Sequence, residues 1–129
     1  MSENDTLFTY TNSKEALLQS IKEGFTFIEL DLMLDSDGDI FAAHDYEHFY
    51  KITNAQFKDK NALQKPPNKD YLKKAKIYEK FSILDKNAIN AIFMANPHLF
   101  LVTDKLNDFK ALNEQFSGFK DRLVIEVLA

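Results

Sequence analysis

Apolar residues recur along this chain with two different spacings, and each spacing predicts one kind of element. A spacing of three or four residues predicts helices, because such positions share one helix face. Asn12 and Glu15 give the first helix a start like a capping box, and Gly24 can take the left-handed conformation that ends it. The predicted helices are 13–23, one that Asp85 caps and that stops before Pro97, and one from Phe109 that Gly118 ends.

A spacing of two residues predicts strands, because alternate side chains point to opposite faces of a strand. Residues 35–39 separate the first two strands as a turn, in which Gly38 tolerates a positive φ. Because strands and helices alternate along the chain, the pattern predicts an α/β fold with a parallel sheet. The predicted strands cover residues 25–34, 40–43, 99–103 and 123–128.

The first predicted strand, 25–34, carries two carboxylates on one face. Glu29 and Asp31 share that face, while apolar residues occupy the positions between and beyond them on the other. Burying an unpaired carboxylate costs several kcal/mol, and a divalent cation is one of few partners that offset this cost. A metal site is therefore the leading explanation. In the alternative, one of the two acids pairs with Lys105.

Three aspartates in the turn that follows resemble a calcium-binding loop at first sight. Asp35, Asp37 and Asp39 have the alternate spacing of such a loop. Gly38, however, stands at position four instead of six, and position twelve is Tyr46 instead of glutamate. We therefore interpret this segment as a solvated turn.

Composition places the chain among small globular proteins. Its 129 residues are 45% hydrophobic and include 12 phenylalanines, enough for one modest core. No cysteine is present, so disulfides and thiolate metal sites are excluded. The acidic, polar start does not resemble a signal peptide, and no apolar run approaches the ~20 residues of a membrane span. We therefore expect a cytoplasmic protein without a membrane span.

The charge distribution is uneven. A net charge of −4 argues against a nucleic-acid partner, because binding to phosphates normally needs clustered lysine and arginine. Residues 51–80 nevertheless hold nine lysines against three acids, with aromatic residues among them and Pro66 and Pro67 interrupting any helix. This lysine-rich run either attracts an anionic phosphodiester or is a solvated face.

Several short motifs occur in a fixed order over residues 10–45. They are Asn12-Ser13-Lys14-Glu15-Ala16, Ile28-Glu29-Leu30-Asp31, the Asp37-Gly38 turn and His44-Asp45. This order resembles the glycerophosphodiester phosphodiesterase family, whose pattern runs N-[ST]-x-E-A, a helix, Gly, I-E-x-D, a D-G turn and H-D. No one of these motifs is specific, but the ordered set is.

The resemblance implies a fold. The family forms a (β/α)₈ TIM barrel of roughly 250 residues, so the 129 residues cover only part of one. We expect a partial TIM barrel, with about strands two to four and their helices. Residues 1–129 would form one partial domain, with an insertion on the barrel rim at about 46–80. Unpaired strand edges at 25–34 and 123–128 would then invite self-association.

The resemblance also implies site residues. The metal ligands of the family correspond to Glu29, Asp31 and Glu126, whose carboxylate oxygens suit Mg²⁺ or Ca²⁺. In the alternative, Glu126 is simply solvated. His44 corresponds to a catalytic histidine that transfers a proton to or from the ester oxygen. His48 and His98 match no motif and are expected to be structural or exposed.

The implied reaction is metal-dependent hydrolysis of a small glycerophosphodiester. The chain departs from the family pattern in residues 1–11, which contain no histidine although the first strand of the family ends in a histidine motif. It also has Leu128 where the family often has a lysine. Activity is therefore expected to be impaired. The alternatives are a non-catalytic metal- or phosphate-binding module and a truncated reading frame.

Overall fold

A computed structural model describes residues 12–57, 59–103 and 108–125. Its α-helices are α1 (Lys14–Lys22), α2 (Tyr46–Ile52), α3 (Lys69–Lys74), α4 (Lys86–Ala95) and α5 (Phe109–Gln115), and Lys60–Gln64 and Ser117–Arg122 are 3₁₀ helices. Its strands are β1 (Phe27–Glu29), β2 (Leu32–Leu34), β3 (Ile40–Ala42), β4 (Lys76–Ile77), β5 (Phe81–Ser82), β6 (Phe100–Thr103) and β7 (Leu123–Ile125). None of the helices in these ranges has the length and apolar content needed to span a bilayer.

A parallel sheet organises the chain. Strands β1, β6 and β7 are neighbours in that order, with Ile28 opposite Leu101 and Leu101 opposite Leu123. Helices α1, α4 and α5 precede these three strands in turn. Adjacent parallel strands that are joined through helices are the repeating unit of a TIM barrel. The predicted α/β fold with a parallel sheet is confirmed.

The predicted strand over 25–34 is two strands with different partners. β1 pairs with β6 in parallel, whereas β2 pairs antiparallel with β3 in a hairpin. Leu30 still donates its N–H to the Val102 carbonyl at 3.0 Å, so the change of partner occurs at Asp31. The prediction of one continuous strand was wrong because hydrophobic alternation continues unbroken across this change.

Helix α1 has a different N-cap from the one predicted. The Ser13 side chain, and not that of Asn12, accepts the N–H of Ala16 at 3.1 Å. Glu15 does not complete a capping box, because its carboxylate accepts the N–H of Ser82 at 2.8 Å. Gly24 follows the helix with φ +92°, which agrees with the predicted left-handed end.

The core has two parts. In the main cluster, Ile28 and Leu101 of the sheet pack with Phe93 of α4 and Leu112 of α5. Helix α4 begins after its Asp85 cap and ends before Pro97, as predicted. The second part, which we call the aromatic cluster, has the buried members Phe41, Ala43, Phe49 and Tyr50. Partly buried residues from 46–80, including Leu63, Tyr71 and Leu72, pack against it.

The prediction that Gly118 ends α5 was wrong. The helix ends at Gln115, and Gly118 lies inside the 3₁₀ helix that follows. A Cβ at this position would lie 2.8 Å from Met94 Sδ. The glycine is therefore explained by the close approach of α4 and not by a helix stop.

Residues 46–80 fold into short elements around the aromatic cluster. Pro66 and Pro67 lie between the Lys60–Gln64 3₁₀ helix and α3, and no helix crosses them, as predicted. The interpretation of this segment as an insertion in one domain stays a prediction. Residues 1–11, Lys105 and the predicted strand positions 126–128 lie outside the described residues.

Candidate functional site

Two carboxylates lie where the chain leaves the parallel sheet. Glu29 is the last residue of β1 and is exposed, and the Asp31 side chain is 23% exposed. Leu30 between them is buried in the core. This burial pattern agrees with the predicted alternation, in which Glu29 and Asp31 share one face and Leu30 lies on the other. Both acids therefore stand at the carboxyl end of a strand, where TIM barrels place their functional groups.

His44 reaches Asp31 because a hairpin returns the chain. The N–H of Ala43 donates to the Asp31 carbonyl at 2.9 Å, which places His44 beside that carboxylate. His44 Nδ1 lies 3.4 Å from Asp31 Oδ2. His44 Nε2 lies 3.7 Å from Asp45 Oδ2. Both ring nitrogens thus face carboxylate oxygens, and an imidazole held in this way can carry a proton at either nitrogen.

Asn12 holds the backbone of the site. Its Oδ1 accepts the Asp31 N–H at 3.3 Å, and its own backbone has φ +55°. Asparagine tolerates this left-handed conformation better than most residues. The first motif of the resemblance therefore has a structural explanation: Asn12 contacts Asp31, Ser13 caps α1 and Glu15 ties α1 to β5.

Asp45 has a structural role that was not predicted. Its side chain caps α2 by accepting the His48 N–H at 2.7 Å. The His48 ring meets the His44 ring edge to face, with centroids 5.5 Å apart. His48, expected to be structural or exposed, is partly buried against the candidate catalytic histidine, and His98 is exposed. Asp45 thus fixes the helix that carries His48 against His44.

A groove runs beside the two carboxylates. It encloses about 300 Å³ between α1 and β1, and its lining includes Glu29 and Asp31. Its apolar wall includes Leu17 and Phe27, and the Phe27 side chain is 62% exposed. The candidate site is therefore open to solvent along β1.

Lys69 forms ion pairs with the three aspartates of the acidic turn. Its Nζ lies 3.0 Å from Asp35 Oδ2 and 3.6 Å from Asp37 Oδ2, and it also contacts Asp39. The hydrogen bond from Lys69 lowers the pKa of Asp39, and Lys86 at 3.4 Å adds to this. Asp35 is buried, and its Oδ1 accepts two N–H groups of the turn. The prediction of a solvated turn was wrong at Asp35, which is buried.

Solved glycerophosphodiester phosphodiesterases share this fold. A protein from Galdieria sulphuraria assigned to that activity gives a TM-score of 0.69 at 15% identity, over 92% of this chain and 50% of that chain. The enzyme from Agrobacterium tumefaciens gives 0.63 at 13% identity, over 97% and 55%. A glycerophosphoryl diester phosphodiesterase domain from Mycobacterium tuberculosis gives 0.55 at 14% identity, over 92% and 47%. The fold is a partial TIM barrel similar to the barrels of these solved structures.

These comparisons establish the fold. The chain spans about half the length of the solved structures that it matches. No family profile matches the sequence, and no curated protein matches it at a significant level. The partial TIM barrel inferred from the ordered motifs is therefore confirmed, while the site residues drawn from the same motifs stay predictions.

The metal assignment is not complete within the described ranges. Glu29 and Asp31 lie two residues apart at the end of β1, but Glu126 lies outside the described residues. Within 12–57, 59–103 and 108–125, no three side chains of histidine, cysteine, aspartate or glutamate form a group suited to a metal ion. Two carboxylates of the right chemistry are thus present, and the third ligand stays a prediction.

Proposed function

We propose that this chain carries part of a metal-dependent phosphodiesterase site. One contact supports the proposal most strongly, the 3.4 Å approach of His44 Nδ1 to Asp31 Oδ2. This contact unites the two motifs that carry chemistry, since Asp31 comes from the end of β1 and His44 from the end of β3. Metal-assisted phosphodiester hydrolysis needs carboxylates to hold a cation and a side chain to move a proton.

Each residue has a role in this proposal. Glu29, Asp31 and Glu126 would hold Mg²⁺ or Ca²⁺, because hard oxygen donors suit both ions. The cation would polarise a phosphoryl oxygen when bound. Asp31 would also orient His44 through Nδ1, and His44 Nε2 would hold or deliver a proton. Asn12 would position Asp31 through its backbone N–H.

The substrate class comes from the structural neighbours. They are named as glycerophosphodiester phosphodiesterases, and we extend this small-molecule substrate class to the present chain. We expect weak turnover, because residues 1–11 contain no histidine to act with His44. Loss of one proton-transfer group costs about 10²–10⁴-fold in rate. A cytoplasmic location and the lack of a nucleic-acid partner stay predictions.

A non-catalytic metal- or phosphate-binding or interaction module is the second candidate. The same missing histidine favours it, because cation binding needs the carboxylates but not a proton-transfer pair. The two candidates share the metal site and differ in turnover.

The test measures metal binding and turnover on the same preparations. Calorimetric titration with Ca²⁺ and Mg²⁺ is expected to show binding that Glu29→Gln and Asp31→Asn each weaken. Release of glycerol 3-phosphate from glycerophosphocholine is expected to be slow and to be lost in His44→Ala. The matched control is His98→Ala, because His98 is exposed and follows α4 on the chain.

Each outcome decides a different part of the proposal. Metal binding without turnover would select the non-catalytic module. Binding that neither carboxylate variant changes would contradict the metal site. Fast turnover that His44→Ala abolishes would mean that another residue replaces the missing histidine.

A further inference from the structure

A second cavity lies away from the candidate site, on the lysine-rich segment. It encloses about 630 Å³ between the end of α2, residues 53–57 and α3. Small-molecule sites typically have volumes of about 300–1,000 Å³ and largely apolar walls. The proposed phosphodiesterase reaction uses none of the residues that line this cavity.

Three aromatic rings form its apolar wall. The rings of Tyr50 and Phe57 meet edge to face with centroids 4.9 Å apart, and Tyr71 lies 5.4 Å from Tyr50. The Tyr50 hydroxyl donates to the Lys65 carbonyl at 2.7 Å, and the Tyr71 hydroxyl bonds Thr53 Oγ1 at 2.6 Å. Because these hydroxyls have partners, the rings offer a ligand mainly apolar surface. Phe57 stays 42% exposed at the edge of this wall.

The Pro67 wall of the cavity is anchored to the rest of the fold. Pro67 is buried, and its carbonyl accepts the Ser36 N–H at 2.8 Å, which ties this wall to the acidic turn. Lys69, two residues later, is held by the aspartates of that turn. A site with fixed walls loses little conformational entropy when a ligand binds.

The charges of the lining favour an anion. Lys65 and Lys74 both line the cavity, and within the described ranges neither lies within ion-pair distance of a carboxylate. Asp70 is the one acid among the described lining residues. Burial raises the pKa of Tyr50 to about 12, so its phenol stays neutral and does not repel an anion.

We propose that this cavity binds a small aromatic anion, with its ring against Phe57 and Tyr71 and its charged group near Lys74. Edge-to-face and stacked ring contacts would hold the aromatic part. The ammonium groups would attract the carboxylate, sulfonate or phosphate of the ligand. The proposal is independent of the phosphodiesterase site.

Calorimetric titration of the whole chain with 2-naphthalenesulfonate tests the proposal, in buffer containing EDTA so that no metal site contributes. Sulfate supplies the charge without the ring, and 2-naphthol supplies the ring without the sulfonate. We expect 2-naphthalenesulfonate to bind more tightly than either. Sulfate that binds as tightly as the aromatic anion, or no binding at millimolar ligand, would overturn the proposal.

Matched variants locate the binding. Phe57→Ala is expected to weaken it roughly three- to tenfold, which corresponds to one aromatic contact. Phe109→Ala removes another exposed ring, on α5, and is expected to leave it unchanged. Lys74→Gln is expected to weaken it roughly two- to fivefold, as for an exposed ion pair. Lys73→Gln makes the same charge change on the same helix, and equal effects of the two would contradict the assignment.

Discussion

The two faces of the parallel sheet differ in what covers them. On one face, Ile28 and Leu101 are 5% and 0% exposed beneath α4 and α5. On the other, Phe27 is 62% and Val124 37% exposed, and Glu29 stands in solvent. Parallel sheets are normally covered on both faces. The helix-covered face therefore contributes to the main hydrophobic core, while the open face carries the candidate chemistry.

Among the described residues, no strand pairs with β1 on the side away from β6. Phe100 donates its N–H to the Thr26 carbonyl at 2.8 Å, and Leu30 donates its N–H to the Val102 carbonyl at 3.0 Å. Thr26 and Leu30 thus direct backbone groups toward β6. Phe27 and Glu29 stand at the alternate positions of β1, so their backbone N–H and C=O groups point away from β6. An edge of this kind can pair with another strand. Self-association stays a prediction, and the edge of β1 is the place where we expect it.

The largest expected effect is a difference in the free energy of unfolding lost when a phenylalanine is removed from each face. Phe93→Ala, in the helix-covered core, should lower the free energy of unfolding by about 3–5 kcal/mol. Phe27→Ala removes the same side chain from the open face, where it stacks on Phe100 with centroids 5.1 Å apart, and should cost less than about 1 kcal/mol. Urea unfolding followed by circular dichroism measures both. Similar losses would mean that the open face is buried in solution.

The second prediction concerns association. If copies pair along the β1 edge and bury the exposed Phe27 ring there, Phe27→Asp should weaken the association measured by sedimentation equilibrium roughly thirtyfold, because it buries a charge at an apolar contact. Phe109→Asp is the control, since Phe109 is 47% exposed on α5, away from the sheet face. A monomeric parent chain at high concentration would rule out this contact.

The third prediction concerns the carboxylates of the open side. A cation at ten times its Kd should raise the stability of the parent chain by about 1.4 kcal/mol. Asp31→Asn should reduce this gain, whereas Asp121→Asn, on the Ser117–Arg122 3₁₀ helix, should preserve it. Melting temperatures with and without 10 mM Ca²⁺ or Mg²⁺ provide the measurement. A parent chain that does not respond to either ion would contradict a working site.

Local patterns in the sequence predicted the helix-covered face better than the open side. Apolar spacing identified α1, α4 and α5 and the parallel strands, because burial beneath helices leaves a periodic signal, whereas α2 and α3 were not predicted. Asn12 was interpreted as a cap because capping rules consider only local spacing, whereas its contact with Asp31 depends on the folded hairpin. Asp35 was predicted to be solvated because its partner Lys69 is 34 residues away. The ordered motifs assigned His44 and the carboxylates to one candidate site, an assignment that no periodicity contains.

The smallest expected effect concerns the acidic turn, which joins β2 to β3 and lies on neither face of the parallel sheet. Hydrogen bonding to Lys69 lowers the pKa of Asp39 from 3.8. Because the folded-state pKa is the lower one, this stabilisation is present above the unfolded pKa and is lost as the pH falls through the folded pKa. Asp39→Asn should therefore cost about 0.5–1 kcal/mol at pH 7 and progressively less below pH ~4.

Urea unfolding at pH 7 and pH 3 measures this difference. Asp37→Asn is the matched control, because Asp37 belongs to the same turn but is 61% exposed and lies 3.6 Å from Lys69 Nζ. Its cost should stay below about 0.5 kcal/mol at both pH values, as for an exposed ion pair. A loss in Asp39→Asn that did not depend on pH would show that packing, and not the ion pair with Lys69, holds this turn. The β2–β3 hairpin, which places His44 beside Asp31, would then keep its geometry without the negative charge of Asp39.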